Sequence, residues 1–394
     1  MYHLDYKFKY MKTNRIESID LLKGLIMVIM ALDHTRDYFH QSSNILSLTD
    51  PSHPNLPLYL TRWITHFCAP TFCFLAGTSA FFVGKRKKKW TLSSFLFKRG
   101  LWLVFLEITV IGFAWTFDIH YSHIFLMVIW SLGMSMIALA GIIHLPRRAI
   151  LIVSLVLIGG HNLLDQIHFE GNFLWAALHE FSTFSIGTNR QITVIYPILP
   201  WIGVMALGYY FGQFYNKDWT APQRKRLFNR IGLAALIAFI IIRFLNIYGE
   251  VLPWEIYETK MQTVMSFFNL TKYPPSLLFL LATLGVSILF LANSENWKGR
   301  LSNFFSVFGR VPFFYYVVHI YLIRILASIA AELTGFGWEM MIQNTIEIQL
   351  GNYGFGLPVV YMVWIGIILV LYPLCRWYDN YKMNNREKWW LSYL

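Results

Sequence analysis

The sequence predicts an all-α, polytopic membrane protein, a bundle of about ten transmembrane helices with both termini in the cytoplasm. Three observations predict it. Hydrophobic residues make up 56% of the 394 and charged residues only 14%, against about 25% charged in soluble domains. Apolar runs near the length of a membrane-spanning helix, roughly 20 residues, recur along the whole chain. Lysine and arginine fall almost wholly in alternate gaps between those runs, as they do in cytoplasmic loops.

The runs place spans near 17–37, 63–84, 95–117, 122–144, 147–165, 195–215, 230–248, 274–293, 303–328 and 356–375. All but seven of the 33 Lys and Arg lie on the side of the N-terminus. They run from Lys7 to Lys23, through "GKRKKKWTLSSFLFKRG", Arg147 and Arg148, then Lys217 to Arg230, Lys298 to Arg310 and Arg376 to Lys388. The seven on the other side are Arg36, Arg62, Arg190, Arg243, Lys260, Lys272 and Arg324. Residues 1–16 thus read as a cytoplasmic tail, 17–376 as the membrane domain and 377–394 as an amphipathic tail, with "EKWWLSYL" an aromatic interfacial anchor. On the outer side, 250–270 reads as an interfacial amphipathic helix.

Composition also excludes classes. The net charge of +12 does not indicate nucleic acid, because the basic residues form short loop runs and not one face. Three cysteines cannot make a disulfide framework, and Cys68 and Cys73, five positions apart, point to different sides of a helix. Asp20 and Lys23 interrupt the first apolar run and no small-residue cleavage site follows, so it does not read as a cleavable signal peptide. No internal repeat or low-complexity stretch appears.

The first span ends unusually, in "IMALDHTRDYFH". Ionisable groups at the edge of the hydrocarbon are costly unless they face protein or water. Helical spacing puts Asp20, Lys23, Gly24, Met27, Ala31 and His34 on one stripe, with Leu21, Leu22, Leu25, Ile26, Val28, Ile29 and Leu32 on lipid-like sides. Asp20 to His34 covers about 21 Å along the axis. The stripe reads as a continuous polar seam across the hydrocarbon. Asp37 is the expected local partner of His34, and Asp33 that of Arg36. In the second span Arg62, His66, Ala69, Cys73, Gly77 and Ala80 form a small and polar stripe expected to pack on the first span's polar face. Glu107 and His319 lie within the third and ninth spans, with pairing of Glu107 to Lys23 or His319 as candidates. Nine of the twelve histidines, among them His34, His40, His53 and His66, fall outside spans or near their outer ends, where most are expected to be solvated.

The blocks "RIESIDLLKGLIMVIMALDHTRDYFH", "LTRWITHFCAPTFCFLAGTSAFF", "YPILPWIGVMALGYYFGQFY", "LTKYPPSLLFLLATLG" and "FGRVPFFYYVVHIYLI" resemble, in order over about 15–380, bacterial proteins related to the heparan-alpha-glucosaminide N-acetyltransferase catalytic domain, within the wider transmembrane acyltransferases. The resemblance implies a polytopic helical fold and transfer of an acetyl or other acyl group from cytoplasmic acyl-CoA to a sugar on the far side of the membrane. It also implies a histidine as acid/base or acyl carrier. Two departures stand out. Lys23 replaces a usual arginine, keeping the charge without the bidentate fork. The family's His-x-x-Trp-Asn-Gly stretch is absent, so the implied histidine maps to a region holding His34, His40, His53 and His66.

On this reading the acyl-CoA donor contacts Asp20, Lys23, Gly24, Arg99 and Arg310, and its pantetheine arm runs along the Gly24–Met27–Ala31 face. The catalytic candidates are His34 as base, Asp37 and Asp33 beside it, and Arg62 or His66 at the developing oxyanion. Arg36, Glu107, Lys272 and His319 are candidates along the substrate path. An acyl-histidine intermediate is an equal variant, and the choice among His34, His53 and His66 stays open. Expected partners are the lipid bilayer, acyl-CoA, a saccharide acceptor and, among admissible ones, a second copy of the chain. No metal and no nucleic acid are expected, and a bacterial inner membrane is the expected location. The competing class is a transporter or flippase of a glycan or anionic small molecule, which also needs polar residues in its spans. Duplicated half-patterns and paired broken helices, which would favour it, are missing.

Overall fold

The computed structural model describes residues 16–41, 50–52, 54–342, 353–385, 387–388 and 391. Lys7, Lys9, Lys12, Arg15, His53 and most of "EKWWLSYL" lie outside the described residues. The chain is predominantly helical. Helix α1 (Glu17–Phe39) is followed by α2 (Leu56–Thr65) and α3 (Cys68–Gly84), which are broken only at His66 and Phe67. Helix α4 (Lys89–Leu106) continues through a π-helical turn (Glu107–Ile111) into α5 (Gly112–Thr116). Strand β1 (His123–Leu126) leads to α6 (Val128–Ile142), and α7 (Arg147–Gly160) ends in a 3-10 turn (His161–Leu164). Then come α8 (Phe173–Leu178), β2 (Ser182–Ile186), β3 (Arg190–Val194), α9 (Leu199–Phe211), α10 (Ala221–Leu245) and α11 (Lys260–Phe267). The last four helices are α12 (Leu277–Ser294), α13 (Arg300–Arg310), α14 (Pro312–Leu333) and α15 (Leu357–Asn384).

Among the described residues, six helical segments are long and apolar enough to cross a membrane: Leu56–Gly84, Arg147–Leu164, Ala221–Leu245, Leu277–Ser294, Pro312–Leu333 and Leu357–Asn384. Three expectations change. The run 303–328 is two helices, because Pro312 lacks an N–H and starts a new helix after Val311. Only Lys260–Phe267 of the 250–270 segment is helical. The chain is not purely α-helical either, since β1 pairs parallel and β2 antiparallel with β3 in a small sheet. The hairpin turns at Gly187, whose φ of +64° suits a residue without a Cβ.

Helix α1 is the core of the bundle. Seventeen of its 23 residues are buried, so the sides expected to meet lipid meet protein instead. Leu21, Leu22, Ile26, Val28 and Leu32 are all buried, and α2, α3, α12, α13, α14 and α15 pack around it. A charged helix tolerates this position because its neighbours, and not hydrocarbon, solvate it. The α1–α13 crossing is close: a Cβ on Gly24 would lie 1.7 Å from the Phe305 carbonyl oxygen, and one on Gly309 1.8 Å from that of Asp20. Helices α3 and α9 meet likewise, with Gly77 on Met205 and Gly208 on Phe74. Such small-residue contacts let helix backbones approach where lipid supplies no hydrophobic drive.

Candidate active site

At the N-terminal end of α1 the structure opens a cavity of about 630 Å³. Its walls come from α1, α3, α4, α6, α14 and α15, and most of them are apolar, including Phe72, Phe95, Leu103, Ile129 and Phe313. Asp20, Lys23, Arg86, Lys87, Arg99 and Lys382 supply its charges. Lys23 Nζ donates to Ser79 Oγ at 2.7 Å, and Lys87 Nζ lies 5.1 Å from the Phe95 ring centre. An apolar chamber with basic groups suits an elongated ligand with an anionic head.

Three of the five predicted donor contacts, Asp20, Lys23 and Arg99, line this cavity. Gly24 does not, because its face is occupied by the α13 backbone. Met27 and Ala31 are fully buried, so the Gly24–Met27–Ala31 face is a packing surface and not a groove. Arg310 bonds Asp379 at 2.6 Å and is not among the residues lining the cavity.

At the other end of α1, Asp33 is the hub of a buried ionic cluster. It accepts from Arg62 Nη1 at 3.0 and 3.2 Å and from Thr65 Oγ1 at 2.8 Å. Arg36 Nη2 lies 2.7 Å from one carboxylate oxygen and Lys272 Nζ 3.7 Å from the other. Arg36 Nη2 also meets Asp37 at 2.6 Å. Three cations thus face two carboxylates, a formal surplus of one positive charge. The expected Asp33–Arg36 pair is present. The expected Asp37–His34 pair is not seen among the described residues, because Arg36 engages Asp37.

The partner of His34 is His319. His34 Nδ1 and His319 Nε2 are 2.8 Å apart, with the rings stacked at 5.0 Å. His319 Nδ1 lies 2.9 Å from the Tyr315 carbonyl oxygen, which can only accept, so this nitrogen carries a proton. With both rings neutral, His319 Nε2 is then an acceptor and His34 Nδ1 must donate to it. The lone pair of His34 is left on Nε2. In this cluster Asp33, Arg36, Asp37, Arg62, His66, Lys272 and His319 are all buried, whereas His34 is half-buried.

Aromatic groups fix the pair. The Trp115 ring meets His34 edge-on at 4.8 Å, and the Trp115 carbonyl accepts from Tyr38 Oη at 2.9 Å. Arg324 stacks on Tyr38 and Phe117 at 4.5 and 5.0 Å and donates to the Thr116 carbonyl at 2.9 Å. Lys272 is delivered by a loop that Glu250 holds. The Glu250 carboxylate accepts from the Thr271 backbone at 3.1 Å and from Ser276 Oγ at 2.7 Å. Burial pushes the Glu250 carboxyl above its usual range, and the Thr271 and Ser276 donors only partly offset it.

One candidate separates from the site. Glu107 meets neither Lys23 nor His319; it accepts the backbone N–H groups of Met127 and Trp130 at 3.2 and 3.1 Å, capping the N-terminus of α6. His66 stays beside the cluster, buried, with its ring tilted against that of Phe279 at 5.2 Å. The second-span stripe splits: Arg62 reaches α1, whereas Cys73 bonds the Trp201 carbonyl and Gly77 packs on α9. The outer histidines are mostly not solvated, since His40, His66, His123, His161 and His179 are buried.

The polar seam is also interrupted. Tyr316 sits one turn beyond the cavity residue Phe313 and one turn before His319, buried, with its ring 6.4 Å from His34 and 5.6 Å from His319. Along α14 it lies between the cavity residue Phe313 and the histidine pair. Sequence reasoning missed Tyr316, Trp115, Thr65 and Arg324 at this end and Ser79, Arg86, Lys87 and Lys382 at the other. Only Arg324 carried a signal, an arginine inside a span on the sparsely basic side.

The family model described as heparan-alpha-glucosaminide N-acetyltransferase, catalytic, matches residues 15–250, which contain all of α1 to α10 and most of both sites. The chain belongs to this family. Members are acetyltransferases that use acetyl-CoA as donor, and the apolar helices make this chain an integral membrane protein. No curated protein matches the chain.

Proposed function

We propose that the protein transfers an acetyl group from cytoplasmic acetyl-CoA to an amine or hydroxyl of a sugar on the outer side of the membrane, with His34 as general base. The observation that carries the reading is the tautomer chain from the Tyr315 carbonyl through His319 to His34, which leaves a lone pair on His34 Nε2. The helix that presents this imidazole also lines the basic cavity about 16 Å away, eleven residues from His34 to Lys23 along its axis.

The positive-inside bias supports ten crossings with the cavity on the cytoplasmic side. The anionic nucleotide end of the donor docks at Lys23, Arg86, Arg99 and Lys382, and its pantetheine arm occupies the apolar chamber. Tyr316 must move aside for the thioester to reach His34. The acceptor N–H or O–H then gives its proton to His34 Nε2 as its heteroatom forms a bond to the thioester carbonyl carbon. The tetrahedral oxyanion is stabilised by the surplus cation of the Asp33–Arg36–Asp37–Arg62–Lys272 cluster. The C–S bond breaks, and the CoA thiolate takes up the proton. In the acyl-histidine variant Nε2 itself attacks the thioester and the sugar attacks second.

The test is release of CoA thiol by purified protein in nanodiscs, given acetyl-CoA with and without hexosamine or hexose acceptors. Acceptor-stimulated release with a matching mass gain of one acetyl group on the sugar is expected. No stimulation by any amino or hydroxyl sugar would overturn the reading.

A further inference from the structure

Outside the two sites described, one side-chain cluster has unmet bonding capacity. His161, Asp165 and His179 come together where α7 ends, with one potential ligand atom from each within 4.8 Å of the others. We propose that these three residues bind one divalent transition-metal ion, with zinc the best fit, in a site formed by the α7 3-10 turn and the residue following α8.

The donor set favours this class. Two imidazoles and one carboxylate suit zinc, whereas calcium and magnesium take oxygen ligands. His161 and His179 are only 2% and 3% exposed. Among the described residues, neither ring nitrogen of His161 has a hydrogen-bond partner, and Nδ1 of His179 has none. A fully buried imidazole with both nitrogens idle is anomalous unless something absent from the protein chain itself meets it.

The surroundings look like ligand support. His179 Nε2 and Asp165 Oδ1 are 3.0 Å apart, sharing a proton that a metal would replace and release to solvent. Asp165 Oδ2 accepts from Asn162 Nδ2 at 2.8 Å, orienting the carboxylate as outer-shell partners of metal ligands do. Asn162 Oδ1 in turn accepts from the Leu277 backbone N–H at 2.9 Å, tying the cluster to the start of α12. Asn172 caps α8 through the Trp175 N–H at 3.0 Å, which sets the position of His179. Tetrahedral zinc, with bonds of about 2.0–2.2 Å, holds its donors roughly 3.4 Å apart. The wider separations must therefore close by about an ångström while the His179–Asp165 pair opens slightly, and a fourth position is left for water. The site would join α7, α8 and α12, at residues for which the sequence alone gave no expectation of a metal.

The test is independent of acyl transfer. Protein stripped with chelator is incubated with zinc chloride, passed through a desalting column and assayed for metal by mass spectrometry, with Tm recorded in parallel. About one zinc per chain and a higher Tm are expected in the wild type. His161→Ala and Asp165→Asn should lose both, while His168→Ala at an exposed neighbour keeps them. Cobalt loading should give visible absorption characteristic of a four-coordinate site. Zinc retained well below one per chain in the wild type would overturn the proposal, whatever the variants do. So would equal retention in His161→Ala and Asp165→Asn.

Discussion

At its N-terminal end α1 lines an apolar chamber of about 630 Å³ with basic groups around it. At its C-terminal end the same helix carries Asp33, Arg36 and Asp37 in a cluster with Arg62 and Lys272, all of them buried. The first end keeps space and spreads its charges around it; the second packs its charges together and leaves little space. That difference separates two tasks. A flexible anionic donor needs volume and cations that can adjust to it, whereas a reacting centre needs groups already held in place. His34 at the crowded end is half-buried, and the hydrogen-bond pattern leaves its Nε2 lone pair unused.

The comparison breaks most readily at Asp33. Asp33→Ala leaves Arg36, Arg62 and Lys272 without their shared anion, and removing one partner of a buried pair costs about 3–5 kcal/mol. A large loss of folded protein and a strong drop in Tm in detergent are expected; an unchanged Tm would mean the cluster is open to water. Next comes His319→Ala, which removes the acceptor that holds the His34 tautomer. It should lower kcat by about 10²- to 10⁴-fold with the KM for acetyl-CoA unchanged, and His319→Gln should recover part of the loss because its amide oxygen can accept. A smaller effect is expected at the other end. Lys23→Ala should raise the KM for acetyl-CoA by about 10-fold, the weight of one charge-assisted contact, and leave kcat nearly intact. Smallest is Arg310→Ala, whose partly exposed pair with Asp379 is worth about 1 kcal/mol or less. It should leave both kinetic constants alone, and a raised KM there would place the donor outside the cavity.

The helical membrane character was readable because composition and lysine bias need no tertiary information. Asp33 with Arg36 was readable for a similar reason, since residues three apart share a helix face. His34 with His319 was not, because 285 positions separate them and nothing local links the two segments. Gly24 was misread for the same reason. A small residue on a polar stripe suits a ligand path or a close helix crossing, and Gly309 on α13 decides for the crossing. The hairpin in "STFSIGTNRQITV" did carry a local signal, β-branched residues around a Gly-Thr-Asn turn, but it lay between apolar runs that dominate the reading. Tyr316 is the most instructive omission. An aromatic residue at helical spacing inside a span looks like packing, and only the cavity below it and the imidazoles above it give it a position on the path.

The central claim, that donor binding and proton transfer reside at opposite ends of α1, is tested most directly by His34→Ala. Acetyl-CoA binding and acetyl transfer are measured on one nanodisc preparation of the variant beside wild type. The account predicts acetyl-CoA affinity within about twofold of wild type together with transfer reduced by about 10²- to 10⁴-fold. Transfer at the wild-type rate, or loss of acetyl-CoA binding in a folded variant, would contradict it.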